Sequence, residues 1–368
     1  MQPFLPLSPA DHRRRFLQQG LFTAALASPG LRPIAKAAPQ PTDASSLAFC
    51  VISDTHYFAN AESPGELDER SLKVCSRLVD TLNHLPGTTI PNLAGGGIVQ
   101  PLRGIIHAGD VIDSGDKRGQ IYEKMQRTEW EAFVADFGLH GTEGRLRFPI
   151  FELHGNHDSP SGEGLAIEAM RERTARRKCL SRSANGLHYS WDWGPIHFIQ
   201  LGIVVGQDRS NPQRRRYHPM DSLEFLIGDL QQYVGDSGRP VVISHHVDIL
   251  RYSQSCSVNN PDNLGMEWNP CDVQAYYRAL TGYQIIAIFH GHTHARQVLR
   301  WNGSSKAAQE GFPLWNVDNS SHFQGGHQAF FYVEIGTQQL TVRECATQDA
   351  WETSHWSPTY WSQALRAG

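Results

Sequence analysis

The chain has 368 residues, of which 40% are hydrophobic and 19% charged, an ordinary globular balance that argues against extensive disorder. The net charge is −4; residues 1–38 hold five of the basic residues and one acid, so their removal leaves 28 basic and 36 acidic residues, a balance of −8 that argues against binding to long nucleic acid. None of the six cysteines forms a CxxC pair, which argues against zinc-finger and thioredoxin-type sites.

The N-terminus reads as an export address. Arg13-Arg14-Arg15-Phe16-Leu17-Gln18 has the twin-arginine pattern, a short apolar stretch from Leu21 to Ala27 follows, and Ala35-Lys36-Ala37 supplies a small-x-small cleavage site. The apolar stretch is too short to span a bilayer. Residues 1–38 are therefore expected to be a signal peptide read by the twin-arginine translocase. Residues 39–46 are expected to be a linker, 47–346 a catalytic domain and 347–368 a C-terminal tail. The mature product is expected to be periplasmic or secreted, without stable membrane insertion.

Leu47–Ser53 is a continuous apolar run with β-branched residues and predicts a buried strand. Residues 66–85 predict an amphipathic helix, with Leu67, Val74, Leu78 and Leu82 near helical spacing. Further strand-like runs lie at 104–107, 148–153, 196–201, 241–244 and 285–289, with helix-like patterning at 120–137, 163–178 and 222–234. Residues 329–335 and 339–345, separated by Gly336-Thr337-Gln338, predict a hairpin. Alternation of this kind predicts an α/β domain.

Five of the apolar runs end in turns rich in Asp, His, Asn and Gly. These are Asp54-Thr55-His56, Gly109-Asp110-Val111-Ile112-Asp113, Gly155-Asn156-His157-Asp158, His245-His246 and Gly291-His292-Thr293-His294. In open α/β sheets, ligands bind at the carboxyl ends of strands, so five such ends can converge on one pocket. Each cluster alone has a structural reading, as a cap or a hydrogen-bonded histidine. Together, in this order, they have the residue types of a metal site.

The set resembles that of the calcineurin-like metallophosphoesterases, over roughly Phe49 to His294. The resemblance implies an α/β/β/α sandwich of two mixed β-sheets flanked by helices. It also implies two metal ions per chain, Mn, Fe or Zn, that generate a bridging hydroxide and clamp a phosphate ester. By motif, Asp54, His56 and His294 hold the first metal, Asp110 bridges both, and Asn156, His245 and His292 complete the second. His245 directly follows its strand and is favoured over His246. His157 stands near the leaving group as proton or hydrogen-bond donor, and Asp158 is expected to orient its imidazole, with a helix cap as the alternative. Asp113 is a supporting or structural residue. It occupies the position where purple acid phosphatases carry tyrosine; they also lack the counterpart of His56, which argues against a tyrosine-ligated ferric site here.

The reaction expected is hydrolysis of a phosphate monoester outside the cytoplasm, on a small-molecule or lipid-linked substrate. The alternatives are a phosphodiesterase, on a cyclic-nucleotide or phospholipid-type substrate, and a non-catalytic metal-dependent phosphate-binding protein. No nucleic-acid partner is expected. Arg214-Arg215-Arg216 reads as a solvated basic loop or as a grip for extra phosphate. Cys256 and Cys271 read equally as a disulfide or as free thiols. His322 and His327 flank Gly325-Gly326 and receive no role.

Overall fold

The computed structural model describes residues 46–207, 215–251, 267–324 and 326–365. The signal-peptide and linker expectations up to residue 45, Arg214 and Cys256 lie outside the described residues.

Thirteen strands form two sheets. They are β1 (Leu47–Ile52), β2 (Ile105–His107), β3 (Ile150–Glu152), β4 (Ser181–Arg182), β5 (Tyr189–Trp193), β6 (Ile196–Gln200), β7 (Val241–Ser244), β8 (Ile285–His290), β9 (Gln297–Trp301), β10 (Phe312–Asn316), β11 (Gln328–Ile335), β12 (Gln339–Thr347) and β13 (His355–Ala364), counted among the described residues. The first sheet has the order β13-β12-β11-β1-β2-β3, and the second β4-β5-β6-β7-β8-β10-β9. Strands β1, β2 and β3 are parallel, as are β6, β7, β8 and β10, so the carboxyl ends within each set share one edge. The antiparallel strands make both sheets mixed.

Residue alternation divides the core into layers. Phe49 and Val51 of β1 pack with Phe198, Val242 and Phe289 between the sheets. Ala48, Cys50 and Ile52 face the opposite side, against Val74, Leu78 and Leu82 of helix α1 (Glu69–His84), Phe133 of α2 (Gln120–Asp136) and Met170 of α3 (Leu165–Arg176). On the outer face of the second sheet, Val241 and Ile243 meet Leu223 and Leu226 of α4 (Ser222–Asp229) and Val273 and Tyr276 of α5 (Pro270–Leu280). The result is the α/β/β/α sandwich.

Local sequence sets the helix boundaries. Asp68 caps α1 by accepting from Arg70 N, and Val74, Leu78 and Leu82 recur at i, i+4, i+8 on its buried face. Asn269 caps α5 ahead of Pro270, whose missing N–H costs nothing at a first helical position. Residues 222–234 form α4 followed by one π-turn from Leu230 to Val234, rather than one continuous α-helix.

The expected C-terminal tail is a correction. Strand β12 runs to Thr347, and β13 pairs with it as the edge strand of the first sheet. Among the described residues, no helix is long and apolar enough to cross a membrane.

Candidate metal centre

The five polar turns follow β1, β2, β3, β7 and β8, at the common carboxyl edge of each parallel set. Of the nine described non-glycine residues with positive φ, five lie in these turns: Asp54, His56, Asp110, His292 and His294. Left-handed backbone is costly for such residues, and its concentration here is the strain pattern of a functional site. Two glycines permit the close approach. A Cβ on Gly291 would sit 2.3 Å from Asp54 Oδ2, and one on Gly155 would sit 2.2 Å from Asp110 Oδ1.

Two donor groups result. In one, His294 Nε2 lies 3.2 Å from both Asp54 Oδ1 and His56 Nε2. In the other, Asp110, His246 and His292 converge, with His246 Nε2 3.0 Å from Asp110 Oδ2. Asp110 Oδ2 also lies 3.7 Å from His56 Nε2, so this carboxylate stands between the groups. The turn carrying Asn156 reaches the same carboxylate, because His157 N donates to Asp110 Oδ1 at 2.8 Å. Asn156 Oδ1 is buried and has no hydrogen-bond partner among the described residues. An orphaned amide oxygen beside two histidine–carboxylate groups fits a metal site, since an unpaired buried acceptor is otherwise unfavourable.

Three imidazoles are held by their outer nitrogens. His56 Nδ1 lies 3.2 Å from Asp113 Oδ1, His292 Nε2 lies 3.1 Å from Glu267 Oε1, and His246 Nδ1 lies 2.8 Å from Ala108 O. A carbonyl or carboxylate acceptor requires the proton on that nitrogen. The other nitrogen, once it gives up any proton of its own, carries the lone pair that a cation needs. The fit is therefore chemical as well as spatial.

The electrostatics agree. Burial alone would raise Asp54 and Asp110, but the imidazoles of His294 and of His246 and His157, respectively, hold both carboxyls below the usual carboxylate range. Burial would lower His56 and His246, yet the carboxylates win: Asp113 and Asp54 raise His56 well above its ordinary value, and Asp110 brings His246 up to about 9. A cleft this rich in carboxylate charge stabilises whatever cation occupies it.

His245, expected in the second group, is not in it. Odd-numbered residues of β7 face the outer helices, and His245 continues that alternation into a cage of Trp268 and Tyr276, stacked on His290. His246 takes the inward position. Asp158 is the second correction: its carboxylate accepts from the N–H groups of Val111, Ile112 and Gly155, and neither caps a helix nor holds His157. It ties the third turn to the second. His157 is instead anchored through Nδ1 to Asp113 O at 3.1 Å, which leaves Nε2 as its unanchored nitrogen, on a side chain 34% exposed.

Two residues near the site carried no role in the sequence reading. His322 stands with its ring 4.6 Å from that of His56 and 4.8 Å from that of His294. Glu267, buried, pairs with His292 and Arg251. His322 follows a sixth polar strand end, Asn316 to Ser321 after β10, a signal of the same kind as the other five. Glu267 had no motif to mark it. Of the basic trio, Arg215 is committed to Asp272 through a two-pronged ion pair at 2.7 and 3.0 Å, and Arg216 lies over Tyr217. Cys271 is exposed.

Comparison with known proteins gives consistent relatives. A dimetal phosphatase from Danio rerio superposes with a TM-score of 0.53 at 11% identity, covering 87% of this chain and 99% of that one. Purple acid phosphatase PPD1 from yellow lupin gives 0.51 at 12% identity, covering 89% and 55%. At these identities the likeness is one of fold. In sequence, purple acid phosphatase 15 from Arabidopsis thaliana is 27% identical over 150 residues, 40% of this chain and 25% of that protein. Purple acid phosphatase 23 from the same plant is 32% identical over 68 residues, 18% and 15%. The chain thus spans a quarter or less of the length of these curated relatives. The calcineurin-like phosphoesterase model matches residues 47–296, a span that holds both donor groups, and the chain belongs to that family of metal-dependent phosphoester hydrolases.

Proposed function

We propose that the protein is a dinuclear phosphomonoesterase acting outside the cytoplasm. The observation that carries the dinuclear reading is Asp110, whose carboxylate stands between two histidine-containing donor groups. Asp54, His56 and His294 would hold one cation and Asn156, His246 and His292 the other, with Asp110 shared to offset their mutual repulsion. When bound, two such ions, Mn, Fe or Zn, supply Lewis acidity that activates water and withdraws charge from phosphate oxygens.

The chain's own residues supply the rest. His157, its Nδ1 proton held by Asp113 O, has Nε2 available to give a proton to the departing alkoxide. Asp113 also holds His56, so one residue aligns a metal-group imidazole and the acid. That duty differs from a tyrosine's at this position and supports a site unlike the tyrosine-ligated ferric centre. Asp158 fixes the spacing of the two turns that carry Asp110 and His157. Export rests on the twin-arginine pattern of residues 13–18.

Metal analysis paired with an ester panel tests the reading. The expected result is two metal ions per chain and faster hydrolysis of p-nitrophenyl phosphate than of bis-p-nitrophenyl phosphate or cyclic AMP, with DNA left intact. A preference for either diester would replace the monoesterase with a phosphodiesterase. No hydrolysis by metal-loaded protein would favour a phosphate-binding role. Replacing Arg13 and Arg14 by lysine is expected to retain the protein in the cytoplasm; unchanged export would remove the localisation.

A further inference from the structure

A cavity of ≈ 320 Å³ opens beside the metal centre, sharing His294 with it and lined also by Asp318, Asn319, His322, Gln324 and His327. Every one of these side chains is polar. None is Lys or Arg, and the only carboxylate is Asp318, which holds His327 Nδ1 at 3.0 Å. Such a wall offers hydrogen-bond donors and acceptors from imidazoles and amides. It offers no fixed cation to an anionic group.

The wall is built in. Asn319 donates from Nδ2 to Asp318 Oδ1 and to His327 O, and its Oδ1 accepts from His322 N. The same segment is fastened to the turn that carries Asp54 and His56: Ser320 N donates to Ser53 O at 2.8 Å, Ser320 Oγ accepts from Ser53 N at 3.1 Å, and Ser321 Oγ donates to Thr55 O at 3.0 Å. These bonds fix His322 against His56 and His294 and make cavity and metal cleft one continuous surface.

The geometry points to this cavity as the subsite for the alcohol half of the ester, and to a hydroxyl-rich, uncharged alcohol, a polyol or sugar, as what it takes. The inference rests on the phosphomonoesterase reading above and names its substrate class. A subsite lined by hydrogen-bonding groups favours an alcohol whose hydroxyls replace the water on those groups over one that displaces that water and returns no hydrogen bond.

The test uses the full chain reconstituted with Mn²⁺ and two esters with similar leaving groups, glycerol 1-phosphate and n-propyl phosphate. The expected kcat/KM ratio favours the glycerol ester by about tenfold or more. Gln324→Ala and His327→Ala, neither of them in a donor group, are expected to move that ratio toward one. Metal content and inhibition by inorganic phosphate, which report on the metal cleft alone, serve as the second readout and are expected to hold. A wild-type ratio near one overturns the subsite, as do variants that lower both esters equally. Cleavage of bis-p-nitrophenyl phosphate with neither monoester cleaved would instead overturn the monoesterase reading, and the subsite with it.

Discussion

Two buried clusters of charge lie at the carboxyl edge of the first sheet, and they are built on opposite plans. Glu152, on β3, has one carboxylate oxygen paired with Arg173 Nε and the other with Arg177, each at 2.7 Å. Both of its carboxylate oxygens are taken up inside the protein. The cluster around Asp110 and Asp54, one and two strands away, is not closed in this way. Three of its imidazoles keep their outer nitrogens bonded, the inner nitrogens of His56 and His246 turn toward His294 and Asp110, and Asn156 Oδ1 has no partner among the described residues. A charge cluster that is complete is a structural device; one with lone pairs left facing each other is built for a cation.

Exchanging the fate of the two clusters is the strongest way to break that contrast. Asp110→Ala is expected to abolish turnover and leave fewer than two metals per chain while the protein stays folded. Glu152→Ala is expected to do the reverse, destabilising the fold by about 3–5 kcal/mol because two buried guanidinium groups lose their carboxylate. Its activity per folded molecule should remain. Denaturant titration and metal analysis of both variants check this, and a destabilisation of equal size in both would erase the distinction.

His157→Ala sharpens the contrast within the open cluster. The imidazole is anchored at Nδ1 and is the most exposed of those in the cleft, so its loss is expected to lower kcat by about 10²–10⁴-fold and leave both metals bound. Loss of a metal together with activity would make His157 a ligand and not an acid.

The pair His245 and His246 divides the same way. His246→Ala is expected to cost about one metal per chain, whereas His245→Phe, within its aromatic cage, is expected to keep both. Sequence made this pair visible but left the choice between its members open to error. Metal chemistry restricts residue types severely, so Asp54, His56, Asp110, Asn156, His292 and His294 stood out from hydrophobic strands on either side. Which neighbour faces inward depends on strand register, which His245's position directly after the strand does not report. The parity of Val241, Val242 and Ile243 decides it, once the layers they face are known. Similarly, Pro313 inside β10 masked its strand signal, so the polar turn bearing His322 went unread. Strand β13, with its central Pro358 and scattered polar residues, looked like a tail because an edge strand needs only one partner.

The smallest expected effect concerns pH, and it separates the closed cluster from a third kind of buried group. Burial brings His188 down to about 4, and its Nδ1 has no acceptor among the described residues, so burial favours the neutral ring. Between pH 6.5 and 4 the unfolded chain binds a proton that the folded one excludes, so stability falls with falling pH by up to about 3 kcal/mol. Glu152 works lower. Burial would raise it, but Arg173 and Arg177 hold it at about 2, so its contribution is present above pH 4.5 and is lost as pH falls toward 2. Both terms have the same sign because in each case the unfolded chain binds more protons. They differ in window, and single variants should remove them one at a time: His188→Leu lessens the fall between pH 6.5 and 4, and Glu152→Gln lessens only the fall below 4.5. Urea titrations across pH, read as each variant's difference from wild type, would measure the two contributions. Differences that fall in the same pH window for both variants would mean that the two groups are coupled, and the closed cluster would then no longer be an independent unit of the fold.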